Sequence, residues 1–189
     1  MLYEMRLHGR GGQGIVTAAE LVVISALKEG KWGQSTPYFG AERRGAAVSA
    51  TVRIADSPIR VHGQSRNPDA VVVFDARLLQ SVDVTAGLKE GGLLLVNSPG
   101  LPEGFRGKPY RLGAVDATRI SLEMGLVISG FPLVNAAMVG ATVRATGVSS
   151  LNSAVQAARE VWETEVGDRN VAAMCRAYEE LVMDVVRVV

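Results

Sequence analysis

The sequence predicts a three-layer α/β/α fold with a mainly parallel sheet and a helical C-terminal third. A glycine-rich turn at residues 9–14 joins an alternating apolar run to a long apolar segment, as in a strand, a tight turn and a helix. The continuous apolar runs 70–74 and 92–96 are typical of parallel strands that are covered on both faces. After residue 109 the apolar residues recur at helical spacing, which predicts the helical third.

The length and composition indicate one globular domain, or one domain with an appended subdomain, and we assign residues 1–189 to a single domain. Of these residues 48% are hydrophobic and 21% are charged, which is enough apolar material for a substantial core. Twenty basic and nineteen acidic residues give a net charge of +1, so we expect neither nucleic acid nor a membrane surface as a partner. Residues 1–4 lack the features of a signal peptide, and no apolar run is long enough to span a bilayer. We therefore expect a cytoplasmic protein.

The first predicted elements are a strand at 3–8, the glycine-rich turn and a helix at 15–29 that stops at Gly30. The glycines of the turn allow main-chain N–H groups to approach a ligand closely. These groups lie at the positive end of the following helix, which favours a phosphate or a carboxylate. The turn is therefore a candidate anion-binding site.

The same turn also matches a dinucleotide-binding pattern. Gly9, Gly11 and Gly14 have the spacing G-x-G-x-x-G, which requires an acidic residue at the end of the next strand to hold the ribose. The next predicted strand, 32–36, ends without one. We keep the anion site and expect no nicotinamide cofactor, while a turn that only lets helix and strand pack closely remains the alternative.

The middle of the chain alternates strands and connections. Residues 37–45 are predicted to form a loop, 46–54 a half-buried strand and 59–61 its hairpin partner. A short helix at 76–88 is predicted to connect the two parallel strands.

One polar residue follows each predicted parallel strand. Because open parallel sheets bind ligands beyond the carboxyl ends of their strands, Asp75 and Asn97 are candidate lining residues. We favour simpler functions for both, since Asp75 can cap the connecting helix and Asn97 can begin a turn.

Four helices are predicted in the C-terminal third. The first is capped by Asp116 and the second begins at Phe131-Pro132. The third is capped by Ser150, and the fourth begins at Asp168. The helix from residue 131 to Thr146 carries a single charge, and the helix at 15–29 carries three. We expect both helices to contact partner subunits, because they are more apolar than a small domain requires.

The sequence predicts no catalytic residue and no metal site in this chain. His8 and His62 are isolated from other catalytic residue types. Cys175 lies within an apolar helical stripe, which indicates a buried structural thiol. A single cysteine also excludes an internal disulfide and a cysteine-ligated iron–sulfur cluster within this chain. The chain is therefore predicted to be an anion-binding α/β subunit without a complete active site.

Several motifs resemble the gamma subunit of 2-oxoacid:ferredoxin oxidoreductases, and together they cover nearly the whole chain. They are Gly9-Arg10-Gly11-Gly12-Gln13-Gly14 with Ala18-Ala19-Glu20-Leu21, Tyr38 to Ala46, Val82-Asp83-Val84 with Gly91-Gly92, Val115 to Thr118, Asn135 to Ala141, and the helix from Asn170 to Tyr178. The Glu-Arg-Arg-Gly-Ala sequence at 42–46 is most similar to pyruvate and branched-chain oxoacid enzymes. A branched-chain 2-oxoacid or indolepyruvate remains an alternative substrate.

The resemblance implies an enzyme that converts a 2-oxoacid, coenzyme A and oxidised ferredoxin to an acyl-CoA, carbon dioxide and reduced ferredoxin. It implies that this chain is inactive alone and that alpha, beta and delta-type subunits complete the complex. Thiamine diphosphate and the iron–sulfur clusters are expected in those partner subunits, and ferredoxin is expected to act through the complex.

The resemblance also implies a coenzyme A region, to which we assign Gly11, Gly12, Gln13, Gly14, Arg43 and Arg44. Gln13 would supply an amide hydrogen bond, and Arg43 and Arg44 charge-assisted contacts to phosphate. A salt bridge to a partner subunit is an equally open interpretation of the two arginines. The competing function is a free-standing Rossmann-like nucleotide-binding module or reductase, which a tightly bound adenine dinucleotide would favour.

Overall fold

The computed structural model describes residues 1–39, 47–162 and 164–184. The strands are β1 (Leu2–Arg10), β2 (Trp32–Phe39), β3 (Ala47–Ala55), β4 (Ala70–Val73), β5 (Leu93–Asn97), β6 (Arg111–Val115), β7 (Val127–Ile128), β8 (Phe131–Pro132) and β9 (Val182–Asp184). The α-helices are α1 (Ile15–Leu27), α2 (Ala117–Glu123), α3 (Asn135–Thr146), α4 (Leu151–Val161) and α5 (Thr164–Glu180). No helix among these described residues is long and apolar enough to cross a membrane.

Seven strands form one sheet in the order β2-β3-β1-β4-β5-β6-β9. The four central strands β1, β4, β5 and β6 run parallel, and β2, β3 and β9 add antiparallel pairs on the two sides. The two strands predicted to be parallel do pair, with Ala70 opposite Leu93 and Val73 opposite Val96. The predicted three-layer α/β fold with a mostly parallel sheet is confirmed.

The core consists of two apolar clusters, one on each face of the sheet. Side chains of β4 and β5 alternate between them, so that Val72 and Leu95 belong to the larger cluster and Val71 and Leu94 to the smaller one. All five α-helices contribute to the larger cluster, and short 3₁₀ turns with irregular chain cover the smaller one. Burial on both faces explains why these strands have continuous apolar sequences.

The connection between β4 and β5 differs from the predicted helix at 76–88. Only Ala76–Gln80 are helical, as a 3₁₀ turn, and the Asp75 carboxylate caps it by accepting a hydrogen bond from Arg77 N at 3.0 Å. Thr85 then donates from its N–H and its hydroxyl to Asp83 Oδ1. Local side-chain bonds of this kind compete with a continuous helix. The cap is therefore confirmed, and the longer helix is wrong.

The predicted helix from residue 131 begins four residues later, at Asn135. Phe131–Pro132 instead forms β8, which pairs with β7 so that Ile128 lies opposite Phe131. Ser129 and Gly130, the two residues between these strands, both have positive φ angles, 52° and 81°. This conformation is that of a type I′ hairpin turn, which matches the twist of the flanking strands. We call residues 127–132 the hairpin.

Other element boundaries also differ from the sequence prediction. The expected hairpin partner at 59–61 is absent, because β3 already pairs with β2 on one side and with β1 on the other. Residues 37–39 continue β2 rather than beginning a loop. The sequence prediction also misses β6 and β9, and α5 begins at Thr164 instead of Asp168. The caps predicted at Asp116 and Ser150 are both confirmed.

The two least charged helices are covered by the chain itself. α1 contacts β2, β3, α3 and α4, while α3 contacts α5 and is buried from Asn135 to Val143. The fold itself covers most of both helices, and contact of either helix with a partner subunit stays a prediction. Leu27 at the end of α1 is 48% exposed, and the hairpin carries two more exposed apolar side chains, Ile128 at 61% and Phe131 at 74% exposure.

The single cysteine is half-buried on α5 rather than fully buried. Burial, reinforced by the nearby Glu179 carboxylate, raises the pKa of the Cys175 thiol. A raised pKa disfavours the reactive thiolate, in agreement with a structural role.

Candidate functional site

A cavity of about 640 Å³ opens at the carboxyl ends of β1, β4 and β5. It is lined by Arg10, Gly11, Gly12, Gln13, Phe74, Asp75, Ala76, Arg77, Asn97, Thr118, Ile128, Ser129, Phe131, Pro132 and Val134. Beside β1 the chain order reverses, because β2 and β3 continue to one side and β4, β5 and β6 to the other. Such a switch point is where open α/β sheets bind ligands.

The glycine-rich turn forms one wall of this cavity. Its backbone is closed by Gln13, whose N–H donates to Arg10 O at 3.2 Å and whose Oε1 accepts from Arg10 N at 2.8 Å. Gly11 and Gly12 are exposed between these two contacts. Gly12 has a φ of 95°, and a Cβ built on it would have no atom within 4 Å. The turn therefore presents bare backbone to the cavity, as anion-binding requires.

Gly14 has a different place from the other glycines of the motif. It precedes α1 with a φ of 75° and does not line the cavity. A Cβ at this position would lie 2.5 Å from Asn135 Nδ2, so Gly14 permits the close approach of α1 and α3. Of the six predicted site residues, three line the cavity and Gly14 packs behind it. Arg43 and Arg44 lie outside the described residues.

An ion-pair cluster forms a second, polar part of the cavity wall. Asp75 is only 6% exposed, and its carboxylate accepts from Arg10 Nε at 3.0 Å and from Arg77 Nε and Nη2 at 2.9 and 2.7 Å. The Arg77 hydrogen bonds outweigh the cost of burial and hold the pKa of Asp75 below its usual value. Two arginines and one carboxylate leave this part of the wall net positive. The sequence analysis misses both arginines, because only the fold brings residues 10 and 77 together.

Asn97 is a lining residue with a structural function. Its Nδ2 donates to Phe74 O at 2.9 Å and to Thr118 Oγ1 at 3.0 Å, and its Oδ1 accepts from Thr118 N at 3.2 Å. The amide thus ties the end of β4 to the start of α2. Asn97 and Thr118 also border a shallower groove of about 570 Å³ that includes Leu122 and Arg119. Asn97 does more than begin a turn, because it fixes the common boundary of both depressions.

The hairpin supplies the apolar part of the wall. Ile128 and Phe131 lie opposite each other in β7 and β8, and both line the cavity. Leu133 N donates to Leu126 O at 2.8 Å, and Ser121 Oγ donates to Leu133 O at 3.0 Å. These bonds anchor the base of the hairpin to α2. The sequence signal that could identify the hairpin is Ser129-Gly130 between two apolar pairs.

The cavity is suited to binding rather than to acid–base chemistry. Gln13 and Val134, which precede α1 and α3 by one or two residues, both line the cavity, so the positive N-terminal ends of two helices lie near it. No group of residues in the described part of the chain could hold a metal ion. His8 lies outside the lining, and burial together with the Arg6 charge lowers its pKa to about 4. The expected ligand is an anion that also carries an apolar group.

Comparisons with known proteins give a consistent result. The family described as "Pyruvate ferredoxin/flavodoxin oxidoreductase" matches residues 4–180. The chain is 46% identical over 186 residues to the "Pyruvate/ketoisovalerate oxidoreductases common subunit gamma" of Thermococcus litoralis, covering 96% of this chain and 98% of that protein. It is 44% identical over 180 residues to "Pyruvate synthase subunit PorC" of Methanothermobacter thermautotrophicus, covering 95% and 96%.

A solved structure agrees with these relatives. The crystal structure of pyruvate oxidoreductase subunit PORC from Thermotoga maritima superimposes with a TM-score of 0.82 at 36% identity. The match covers 97% of this chain and 99% of that one, so the similarity extends over the whole fold.

Proposed function

The chain belongs to the pyruvate ferredoxin/flavodoxin oxidoreductase family, and we propose that it is the gamma subunit that helps to bind coenzyme A. The complex would oxidatively decarboxylate pyruvate or a related 2-oxoacid to an acyl-CoA and carbon dioxide while reducing ferredoxin. Relatives named for pyruvate and for ketoisovalerate support both a pyruvate and a branched-chain substrate.

The cavity is the observation that supports a function in coenzyme A binding. Coenzyme A joins phosphates to a purine ring and an extended pantetheine arm. The cavity offers bare backbone at Gly11 and Gly12 and the cations Arg10 and Arg77, next to the apolar hairpin. Gln13 Oε1 already accepts from Arg10 N, so any ligand bond from this side chain would come from its NH₂ group. Arg43 and Arg44 keep their proposed phosphate contacts.

We assign the remaining parts of the reaction to other subunits. Thiamine diphosphate and iron–sulfur clusters would be held by alpha, beta and delta-type partners, with ferredoxin bound by the complex. Residues 1–189 would form a single gamma-type domain in the cytoplasm. The sequence supports this division, because its single cysteine, Cys175, cannot ligate an iron–sulfur cluster alone.

The alternative of a free-standing dinucleotide-binding reductase has one supporting observation, the G-x-G-x-x-G spacing of the turn. β2, the next strand in sequence, ends at Phe39 without an acidic residue. A dinucleotide retained by the purified chain would support this alternative.

Reconstitution of the complex tests the proposal. Purified partner subunits are combined with or without this chain and assayed with a panel of 2-oxoacids, coenzyme A and ferredoxin. We expect coenzyme A-dependent reduction of ferredoxin only when the chain is present. Full activity of the partners without it would contradict the proposed function.

A further inference from the structure

We propose that two copies of this chain associate through β2. The free edge of this strand would pair antiparallel with β2 of the second copy, and the sheet would continue across a two-fold axis at Thr36. β2 contributes none of the described residues that line the cavity. The inference therefore concerns a separate surface and does not depend on the binding of coenzyme A.

The free edge of β2 is the first observation. β2 is the terminal strand of the sheet, and within the described part of the chain it pairs only with β3. Its eight residues include no charged side chain, although natural proteins commonly place charges on edge strands to prevent pairing. The strand at the other end of the sheet, β9, is only three residues long and carries Asp184. β2 is thus the edge that remains able to pair.

Pro37 determines which backbone groups of β2 are free. Within a strand, a proline is tolerated where its nitrogen points away from the neighbouring strand, here β3. Gly33, Ser35 and Phe39 share this outward direction, because backbone groups alternate along a strand. The best register places Gly33 opposite Phe39 of the second copy. It gives about six hydrogen bonds, since only the proline nitrogens cannot donate, and a shift by two residues gives fewer within β2.

The same register fits the apolar side chains together. Phe39 is 70% exposed, whereas Gly33 has no side chain, and a Cβ built on Gly33 would lie 2.8 Å from Val23 Cγ1. Residues that lie directly opposite each other share a face of the sheet. The Phe39 ring of one copy would therefore cover Gly33 of the other and contact Val23 of α1. Aromatic side chains stabilise glycines of edge strands in this way.

α1 extends this apolar surface beside the edge. Val16, Val23 and Leu27 are half-buried or exposed and recur at helical spacing on one side of the helix. Glu20 is the only charged residue within α1. Because Val23 adjoins Gly33, this side of the helix borders β2. A second copy that pairs with β2 would cover part of it.

The other face of β2 carries two polar groups that need a partner. Gln34 Oε1 and Tyr38 Oη are buried, and neither has a hydrogen-bond partner within the described residues. They are roughly 13 Å apart along the strand, so they cannot reach each other within one copy. In the proposed register Gln34 lies directly opposite Tyr38 of the second copy, in the closer type of cross-strand pair. Rotation of these side chains would let the Tyr38 hydroxyl donate to Gln34 Oε1, so the interface would satisfy both groups.

Sedimentation equilibrium of the full chain tests the association, and circular dichroism checks that each variant folds. Wild type should sediment at twice the mass of one chain. Thr36→Asp should weaken the dimer by roughly tenfold or more, because it places two carboxylates opposite each other on the axis. Thr36→Asn has nearly the same shape without the charge and should stay dimeric. Thr36→Lys should also weaken the dimer, whereas an equimolar mixture of Thr36→Asp and Thr36→Lys should recover it, because residue 36 faces itself.

Phe39→Ala tests the apolar contact. It should weaken the dimer roughly ten- to a hundredfold, because it removes the ring that covers Gly33 of the second copy. Phe131→Ala is the matched control, since Phe131 is exposed to a similar extent but lies in the hairpin, away from β2. The control should leave the dimer unchanged.

Thr36→Cys tests the same contact in the assembled complex. Directly opposite residues of a non-hydrogen-bonded pair have Cα atoms about 4.5 Å apart, which is within the range that a disulfide spans. Mild oxidation should link two copies of this variant, both as the free chain and in the complex. Wild type, whose one cysteine is half-buried on α5, should not be linked. Ser81→Cys, at an exposed position between β4 and β5, should not be linked either.

Four results would overturn the inference. They are a monomeric wild type, equal loss of the dimer with Thr36→Asp and Thr36→Asn, loss of the dimer with Phe131→Ala, and no recovery in the mixture of charged variants. A Thr36→Cys disulfide that forms in the free chain but not in the assembled complex would overturn it too, because another subunit would then occupy the edge of β2.

Discussion

The side chain of Asn135 occupies the space beside Gly14 that a Cβ would need. The built Cβ lies 2.5 Å from Asn135 Nδ2 and 2.8 Å from its Cγ. This contact joins the start of α1 to the start of α3 directly behind the cavity. Gly14, the last glycine of the motif, is therefore required for the packing of two helices, whereas Gly12 exposes its backbone to the cavity.

Gly14→Ala should lower the free energy of unfolding by roughly 1–3 kcal/mol more than Gly12→Ala does, because only Gly14 has a neighbour to displace. Both glycines have positive φ, so the backbone cost of alanine is common to the two variants. Denaturant unfolding measures the difference. Asn135→Ala in the Gly14→Ala background should recover part of the loss, and equal destabilisation by the two glycine variants would refute the packing role.

Gly140→Ala should destabilise the contact between α3 and α5. A Cβ on Gly140 would overlap the backbone carbonyl of Met174, which cannot move without shifting α5. We expect a loss of roughly 1–3 kcal/mol in the free energy of unfolding, measured by thermal or denaturant melts. Gly104→Ala, at an exposed glycine with open space around it, is the control and should remain near wild type.

Glu29 should stabilise the protein above its unfolded pKa and lose this effect in acid. Ser150 N donates to its Oε1 at 2.6 Å, and this bond is the main reason that the pKa of Glu29 falls from 4.5 to about 2. A depressed carboxyl pKa adds stability above pH 4.5 that disappears as the pH falls toward 2. Glu29→Gln should cost about 1 kcal/mol at pH 7, after allowance for solvent screening.

The stability difference between wild type and Glu29→Gln should shrink through that same pH window. Glu90→Gln, the same substitution at an exposed position, provides the control. A constant difference between pH 7 and pH 2 would show that the carboxylate charge does not stabilise the start of α4.

The purified chain should be colourless and inactive by itself. It has one cysteine, Cys175, which is half-buried on α5 and cannot ligate a cluster alone. An anaerobic preparation should show no iron–sulfur absorbance and reduce no viologen with pyruvate and coenzyme A. Oxidation of pyruvate by the isolated chain would eliminate the subunit assignment.

The sequence alone predicts correctly those elements whose signal lies within a few neighbouring residues. The glycine-rich turn, the apolar strands β4 and β5, and the caps at Asp75, Asp116 and Ser150 each carry a signal within a few residues. The hairpin could not be separated from a helix start in this way, because Pro132 after Phe131 is also typical of a first helical turn. β6 is as long as β5, but Gly113 interrupts its apolar residues, so it lacks the continuous apolar run that identifies β4 and β5.

The cavity could be predicted only in part. Gly11, Gly12 and Gln13 are contiguous and belong to one motif. Arg77 and Phe131 lie far from them in the sequence, and only the order of the strands brings them to the same cavity. Asp75 and Asn97 were identifiable as residues at strand ends, but their partners Arg10, Arg77 and Thr118 depend on which strands are neighbours. Sequence spacing does not contain that information.

The most direct test of a coenzyme A function for this chain compares two rates in a complex that contains Gly12→Val. One is the single-turnover release of carbon dioxide from pyruvate without coenzyme A, and the other is the coenzyme A-dependent reduction of ferredoxin. Gly104→Val, at an exposed glycine outside the cavity, serves as the control. We predict a wild-type rate for the first reaction and a raised KM for coenzyme A in the second. Equal loss of both rates, or an unchanged KM for coenzyme A in an assembled complex, would contradict this function.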